Sequence, residues 1–164
     1  MPRVVLYQPQ IPPNTGNVAR TCAATGSELH LIEPLGFTIS DRHLRRAGLD
    51  YWPWVSLQRH ADLVGFQAER QRRGGRLVAL SSQVEAAYTD FRFRSDDWLL
   101  FGRETDGLPN ALQASADARL TIPMARRARP GEGGVRSLNL SVSVGIVLFE
   151  ALRQLGPAEG GERG

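Results

Sequence analysis

Three segments of the chain combine glycine or proline with polar side chains that add little to packing, and loops of that kind are where chemistry can be placed. The first, QPQIPPNTGN at 8–17, puts Asn14 or Thr15 at the cap of a helical pattern and Arg20 within its second turn, among Val18, Ala19, Cys22 and Ala23. The second, FGRETDGLP at 101–109, holds Glu104 between Gly102 and Gly107, which permit close backbone approach or a positive φ. The third covers 122–139, opening IPM and closing RSLNLS, with Ser137 and Asn139 ahead of a long apolar stretch. An arginine fork holds phosphate by two-point contact, and a carboxylate or amide side chain orients an arginine or a backbone N–H. Each residue also has a plain structural account: capping for Asn14 and Asn139, a solvent-facing turn for Glu104, snorkelling for Arg20. No GxGxxG follows the first strand and no GxxxxGK[ST] occurs, so the usual dinucleotide and triphosphate cradles are absent. His30, His43 and His60 lie away from these loops in sequence, which leaves no case for a Ser-His-Asp arrangement.

The loops need a scaffold, and short aliphatic runs alternating with helical patterns supply one. Strands are expected at 4–7, 29–33, 77–80, 98–101 and 120–122. Helices are expected at 15–25, 41–47, 61–73, near 109–114 and at 139–155, with Gly26, Gly48, Gly74 and Gly156 as stops. Such alternation predicts an α/β fold, a mostly parallel sheet flanked by helices, with ligands bound beyond the carboxyl ends of the strands. The last helix is apolar around most of its circumference, so it must be covered on several sides, by its own chain or by a subunit interface.

Length and composition bound the remaining possibilities. At 164 residues and 41% hydrophobic, the chain is expected to form one domain over 1–156, followed by a Gly/Glu/Pro-rich tail at 157–164 that is expected to be disordered. No apolar run approaches the roughly 20 residues of a membrane span and no signal peptide is evident, so a soluble, cytoplasmic protein is expected. The single cysteine, Cys22, sits in an apolar helical pattern and reads as core, and no metal site is expected from the histidine spacing. All twenty basic residues are arginine, concentrated at Arg42, Arg45 and Arg46, at Arg70, Arg72, Arg73 and Arg76, and at Arg126, Arg127, Arg129 and Arg136. Clusters of this kind are compatible with RNA and equally with a solvated surface.

Taken together and in order, NTGNVARTCAATG, FGRETDGLP and IPMARRARPGEGGVRSLNLSVSVGIVLFEALRQLG resemble the three motifs of the TrmH-like branch of the SPOUT RNA 2′-O-methyltransferases. The opening VVLYQPQIPPNTGN, with LIEPLGF and LRRAGLDYW, narrows the resemblance to the TrmL type, tRNA (cytidine/uridine-2′-O)-methyltransferases acting at the wobble nucleotide. The resemblance implies a C-terminal trefoil knot, a homodimer, S-adenosylmethionine as methyl donor, and tRNA, through its anticodon stem-loop, as partner. By position it implies cofactor contacts at Leu80, Gly102, Ile122 and Ser137, and catalytic roles for Asn14, Arg20, Glu104, Ser137 and Asn139. It leaves open 2′-O-methylation at another tRNA or rRNA site, and a non-catalytic RNA-binding module. Arg103 departs from the proline usual after the motif's glycine, the 125–135 loop is several residues longer than usual, and Val142 and Phe149 stand where relatives are often polar. An arginine-rich loop beside the cofactor is expected to meet RNA first. A guanidinium, with pKa above about 12, is not a plausible proton acceptor, so Arg20 is expected to hold a phosphate and act electrostatically.

Overall fold

The computed structural model describes residues 1–39 and 51–157. The helix expected at 41–47, with Arg42, Arg45 and Arg46, and the tail beyond residue 157 lie outside the described residues. Six parallel strands form the sheet: β1 (Arg3–Tyr7), β2 (Leu29–Ile32), β3 (Leu57–His60), β4 (Leu77–Leu80), β5 (Trp98–Phe101) and β6 (Ala118–Leu120), in the order β3-β2-β1-β5-β4-β6. The central strands are buried except at Arg3 and Leu80, because helices cover both faces, as parallel sheets require. Alternate side chains divide between those faces. Val4, Leu6, Leu99 and Phe101 pack with helices α1 (Pro12–Thr25) and α4 (Leu140–Leu155), whereas Val5, Tyr7, Trp98 and Leu100 pack with α2 (Leu63–Arg73) and α3 (Asn110–Ser115).

Several boundaries differ from the sequence expectation for identifiable reasons. Helix α1 starts at Pro12 and has Ile11 as its N-cap, without a side-chain cap. Two prolines in the first turn need no partner for a missing N–H, so Asn14 and Thr15 are not caps but buried residues inside the helix. Strand β6 ends at Leu120 because Thr121 leaves β4 and bonds to the 86–88 segment, accepting from the Tyr88 N–H and donating to Ala86 O. Strand β3 was not expected: its LQRH sequence lies on the sheet edge, half-exposed, without an apolar alternation. Asp62 caps α2 through the Gly65 N–H at 2.8 Å, and Gly26 ends α1 at φ 74°. Asn139 caps α4, accepting from the N–H groups of Ser141 and Val142, as the sequence suggested.

Candidate active site

A cleft of about 530 Å³ opens at the carboxyl ends of β4, β5 and β6, where the ladder of the sheet stops and loops take over. Leu80 and Phe101 are the last residues of their strands, Ile122 follows β6, and all three line the cleft. The loop after β5 forms one wall. Gly102 lies so close to the loop's own return that a Cβ there would sit 2.4 Å from the Gly107 carbonyl carbon, and Gly107 turns the chain at φ 70°. Both glycines of the second segment are therefore required by this tight turn. Ser137 and Asn139, entering α4, and Asn14, from α1, complete the cleft.

Glu104 binds the first and second segments together. Its carboxylate accepts the backbone N–H groups of Gln10 at 2.9 Å and Ile11 at 3.1 Å, and the Asn14 side-chain amide at 3.5 Å. Asn14 in turn accepts from the Asn139 amide at 2.9 Å, and Asn139 Oδ1 accepts the Ser141 hydroxyl at 2.6 Å. One hydrogen-bonded chain thus runs from Glu104 through Asn14 to the N-terminus of α4, joining three segments that lie far apart in sequence. Sequence reasoning missed the supporting residues. Arg103 forms a two-point pair with Asp106 and donates to Gln8 at 2.8 Å, while the Thr105 hydroxyl donates to Gln10 at 2.8 Å. The signal for Gln8 and Gln10 was only that a QPQ sequence follows a strand, which by itself indicates a loop.

Comparison with known proteins places this arrangement. The model of the SpoU rRNA Methylase family matches residues 1–149. The chain belongs to this family. It is 52% identical to a tRNA (cytidine(34)-2′-O)-methyltransferase of Beijerinckia indica, over 93% of this chain and 91% of the relative. A protein of the same description from Escherichia coli is 44% identical over 95% of both chains. Among solved structures, one concerned with the 2-OH methylation of C/U34 on tRNA superposes with a TM-score of 0.85 at 51% identity, covering 94% of this chain and 96% of the other. An AdoMet-bound rRNA methyltransferase from Sinorhizobium meliloti superposes at 0.82 with 30% identity, covering 95% of this chain and 57% of the other.

Within this SpoU family member, Asn14, Leu80, Gly102, Glu104, Ile122, Ser137 and Asn139 all line the cleft, and Arg20 does not. Arg20 stands on the exposed face of α1, its guanidinium 5.7 Å from the centre of the Tyr51 ring. The arginine clusters separate by role. Arg73 pairs with Glu28 and Arg76 with the buried Asp97, Arg70 donates to Gln67 and to Gly75 O, and Arg72 keeps to an exposed pair with Glu69, so most of this cluster is engaged within the protein. Arg126, Arg129 and Arg136 are exposed, Arg136 also at the edge of the cleft, whereas Arg127 turns inward to the cleft wall. Two histidines, His30 and His60, serve the packing of the sheet. His30, fully buried, bonds to His60 at 2.9 Å and to Glu28 at 3.0 Å, and burial lowers its pKa to about 4, so the pair is neutral at physiological pH. Cys22 is buried in the core cluster, and burial pushes its thiol up to about 12. Among the described residues no group of three or more His, Cys, Asp or Glu is arranged to hold a metal, and no helix is long and apolar enough to cross a membrane.

Proposed function

We propose that this chain transfers a methyl group from S-adenosylmethionine to the ribose 2′-hydroxyl of the wobble nucleotide of tRNA, position 34, a cytidine or modified uridine, in the cytoplasm. The observation that carries the reading is the cleft itself. Three segments resembling a methyltransferase's motifs are joined there by the Glu104–Asn14–Asn139 chain, in a protein whose relatives bear that activity in their names along nearly their whole length. The rRNA-directed neighbours are less similar and extend well beyond this chain, which favours the tRNA substrate over a ribosomal one. A non-catalytic RNA-binding module has no need for the complete set of cleft residues.

The cleft fits the cofactor. Its volume falls within the roughly 300–1,000 Å³ of small-molecule sites, it carries aliphatic walls at Leu80, Ile122 and Leu138, and a buried Arg127 Nε–H on its wall lacks a partner among the described residues. When bound, S-adenosylmethionine supplies an electrophilic methyl group on a sulfonium. Leu80, Gly102, Ile122 and Ser137 hold the cofactor. Asn14, Glu104 and Asn139 keep the α1 and α4 ends fixed against the loop, so that the attacking oxygen is aligned; alignment of this kind is worth roughly 7–11 kcal/mol of barrier. Arg20, exposed on α1 outside the cleft of its own chain, binds a phosphate of the RNA and so positions the nucleotide, the hydroxyl's proton passing to water or phosphate. The C-terminal half carries the trefoil knot of SPOUT enzymes. The working form is a homodimer, supported by the apolar stripe of Val142, Ile146 and Phe149 along α4, in which Val142 and Phe149 are 49% and 56% exposed.

The test is Arg20→Ala. Methyl transfer to tRNA is expected to vanish, with S-adenosylmethionine affinity, read by fluorescence titration, retained within a few-fold. Loss of cofactor binding in a folded Arg20→Ala protein would overturn the assignment of Arg20 to the RNA side.

A further inference from the structure

The long loop of the third segment has an ordered base and an exposed tip. The Ala128 N–H donates to Val135 O at 2.9 Å and the Glu132 N–H to Arg129 O at 2.9 Å, which closes residues 128–135 on themselves. At the base, the Arg127 side chain reaches back across the cleft wall. Its Nη1 donates to Ser82 O at 2.8 Å, and its Nη2 donates to Ile122 O at 2.8 Å and to the Thr121 hydroxyl at 3.2 Å.

The place it spans is the point where β4 and β6 part. The last ladder bond between them runs from the Ser81 N–H to Leu120 O, and Thr121 then bonds to the 86–88 segment. Beyond that point no backbone bond holds the 81–83 turn against Ile122, although both border the cleft. Arg127 bridges the gap by occupying one carbonyl on each side. Three features say that it does more than tie a loop. No acidic side chain among the described residues lies within ion-pair distance of its guanidinium, its Nε–H is buried without a partner, and it lines the cleft. A buried cationic donor is costly unless an acceptor completes it.

We propose that Arg127 is a cofactor-binding residue, through which the elongated 125–135 loop builds the S-adenosylmethionine site: of its five N–H donors three fix the two diverging strand ends, and the second Nη1–H is offered to an acceptor on the cofactor. This rests on the functional reading above. It assigns the loop two separable tasks, Arg127 for the cofactor and the exposed Arg126 and Arg129 for RNA.

The experiment is calorimetric titration of S-adenosylmethionine into the full chain without RNA, beside filter binding of tRNA over a range of salt. Arg127→Ala is expected to weaken cofactor binding about tenfold or more, the value of charged hydrogen bonds lost from a partly buried site. Arg127→Lys, which keeps the charge and can reach one carbonyl, is expected to recover part of the loss, and it serves also if the alanine variant does not fold. Affinity for tRNA and its salt slope should not change in either variant. The paired variant Arg126→Ala/Arg129→Ala is expected to do the reverse, flattening the slope by about 1.4, at roughly 0.7 per phosphate contact on single-stranded RNA, with cofactor affinity intact. Unchanged cofactor affinity in Arg127→Ala, or a flattened tRNA slope there, overturns the proposal while leaving the methyltransferase reading in place. Failure of the parent to bind S-adenosylmethionine overturns both.

Discussion

At the scale of single residues, Glu104 is the point on which the site's geometry turns. An ionised carboxylate accepts only, and it faces three donors: two backbone N–H groups and the Asn14 amide. Glu104→Gln would place an NH₂ group against at least one of them. Hydrogen bonds to charged groups contribute roughly 1.5–3 kcal/mol, so this substitution should lower stability by about 1–2 kcal/mol, visible as a lower urea midpoint at unchanged slope. Methyl transfer should fall further than stability, because Asn14 and Asn139 lose a fixed orientation. An unchanged midpoint would mean that the clamp contributes nothing in solution. Glu104 was readable as a candidate from its place between two glycines. The Asn14–Asn139 bond was not, because each asparagine is separately explained by capping and the two are 125 positions apart. Arg103, a departure from the expected motif, turned out to stitch its loop to Gln8 and Asp106.

At the scale of elements, pattern served where burial is one-sided or complete and failed at edges. Strands β1, β2, β4 and β5 were legible because buried parallel strands carry largely apolar runs, broken here only by His30 in β2 and Arg3 at the start of β1. Strand β3 was not, since an edge strand with one neighbour can be polar and still pair with β2 in register. Helix α4 was legible from its cap and its stop, and its excess of apolar positions now has a place. Val144, Val147, Leu148 and Ala151 face the sheet, leaving Val142 and Phe149 outward. If a second copy covers that stripe, Phe149→Glu would bury an unpaired charge at the interface. The dimer dissociation constant should then rise by about a hundredfold or more, since each 1.4 kcal/mol is a factor of ten and an uncompensated charge costs several kcal/mol. Sedimentation velocity across a dilution series reads this directly. An unaltered dimer in the variant would remove α4 from the interface, and a parent that is monomeric at micromolar concentration would remove the dimer.

At the scale of the whole molecule, a six-stranded parallel sheet brings the ends of β4, β5 and β6 to one side, and the three candidate segments meet there although nearly the full chain separates the first from the last. The fold class was legible from alternating strand and helix patterns. The convergence was not, because strand order, which sets β1 between β2 and β5, is a tertiary choice that local pattern does not encode. Charge shows the same division: a formal charge of +3 made no case for RNA by itself, and only the structure separated arginines spent on internal pairs from those left at the surface. These surfaces and this cleft are proposed to act together in methylating one ribose of tRNA. The direct measurement is to incubate the purified protein with S-adenosylmethionine and native tRNA from cells lacking it, then locate the new methyl group by nuclease digestion and mass spectrometry. The expected product carries 2′-O-methylation confined to the nucleotide at position 34; a methyl group on a base, at another tRNA position, or on ribosomal RNA instead would rule that function out.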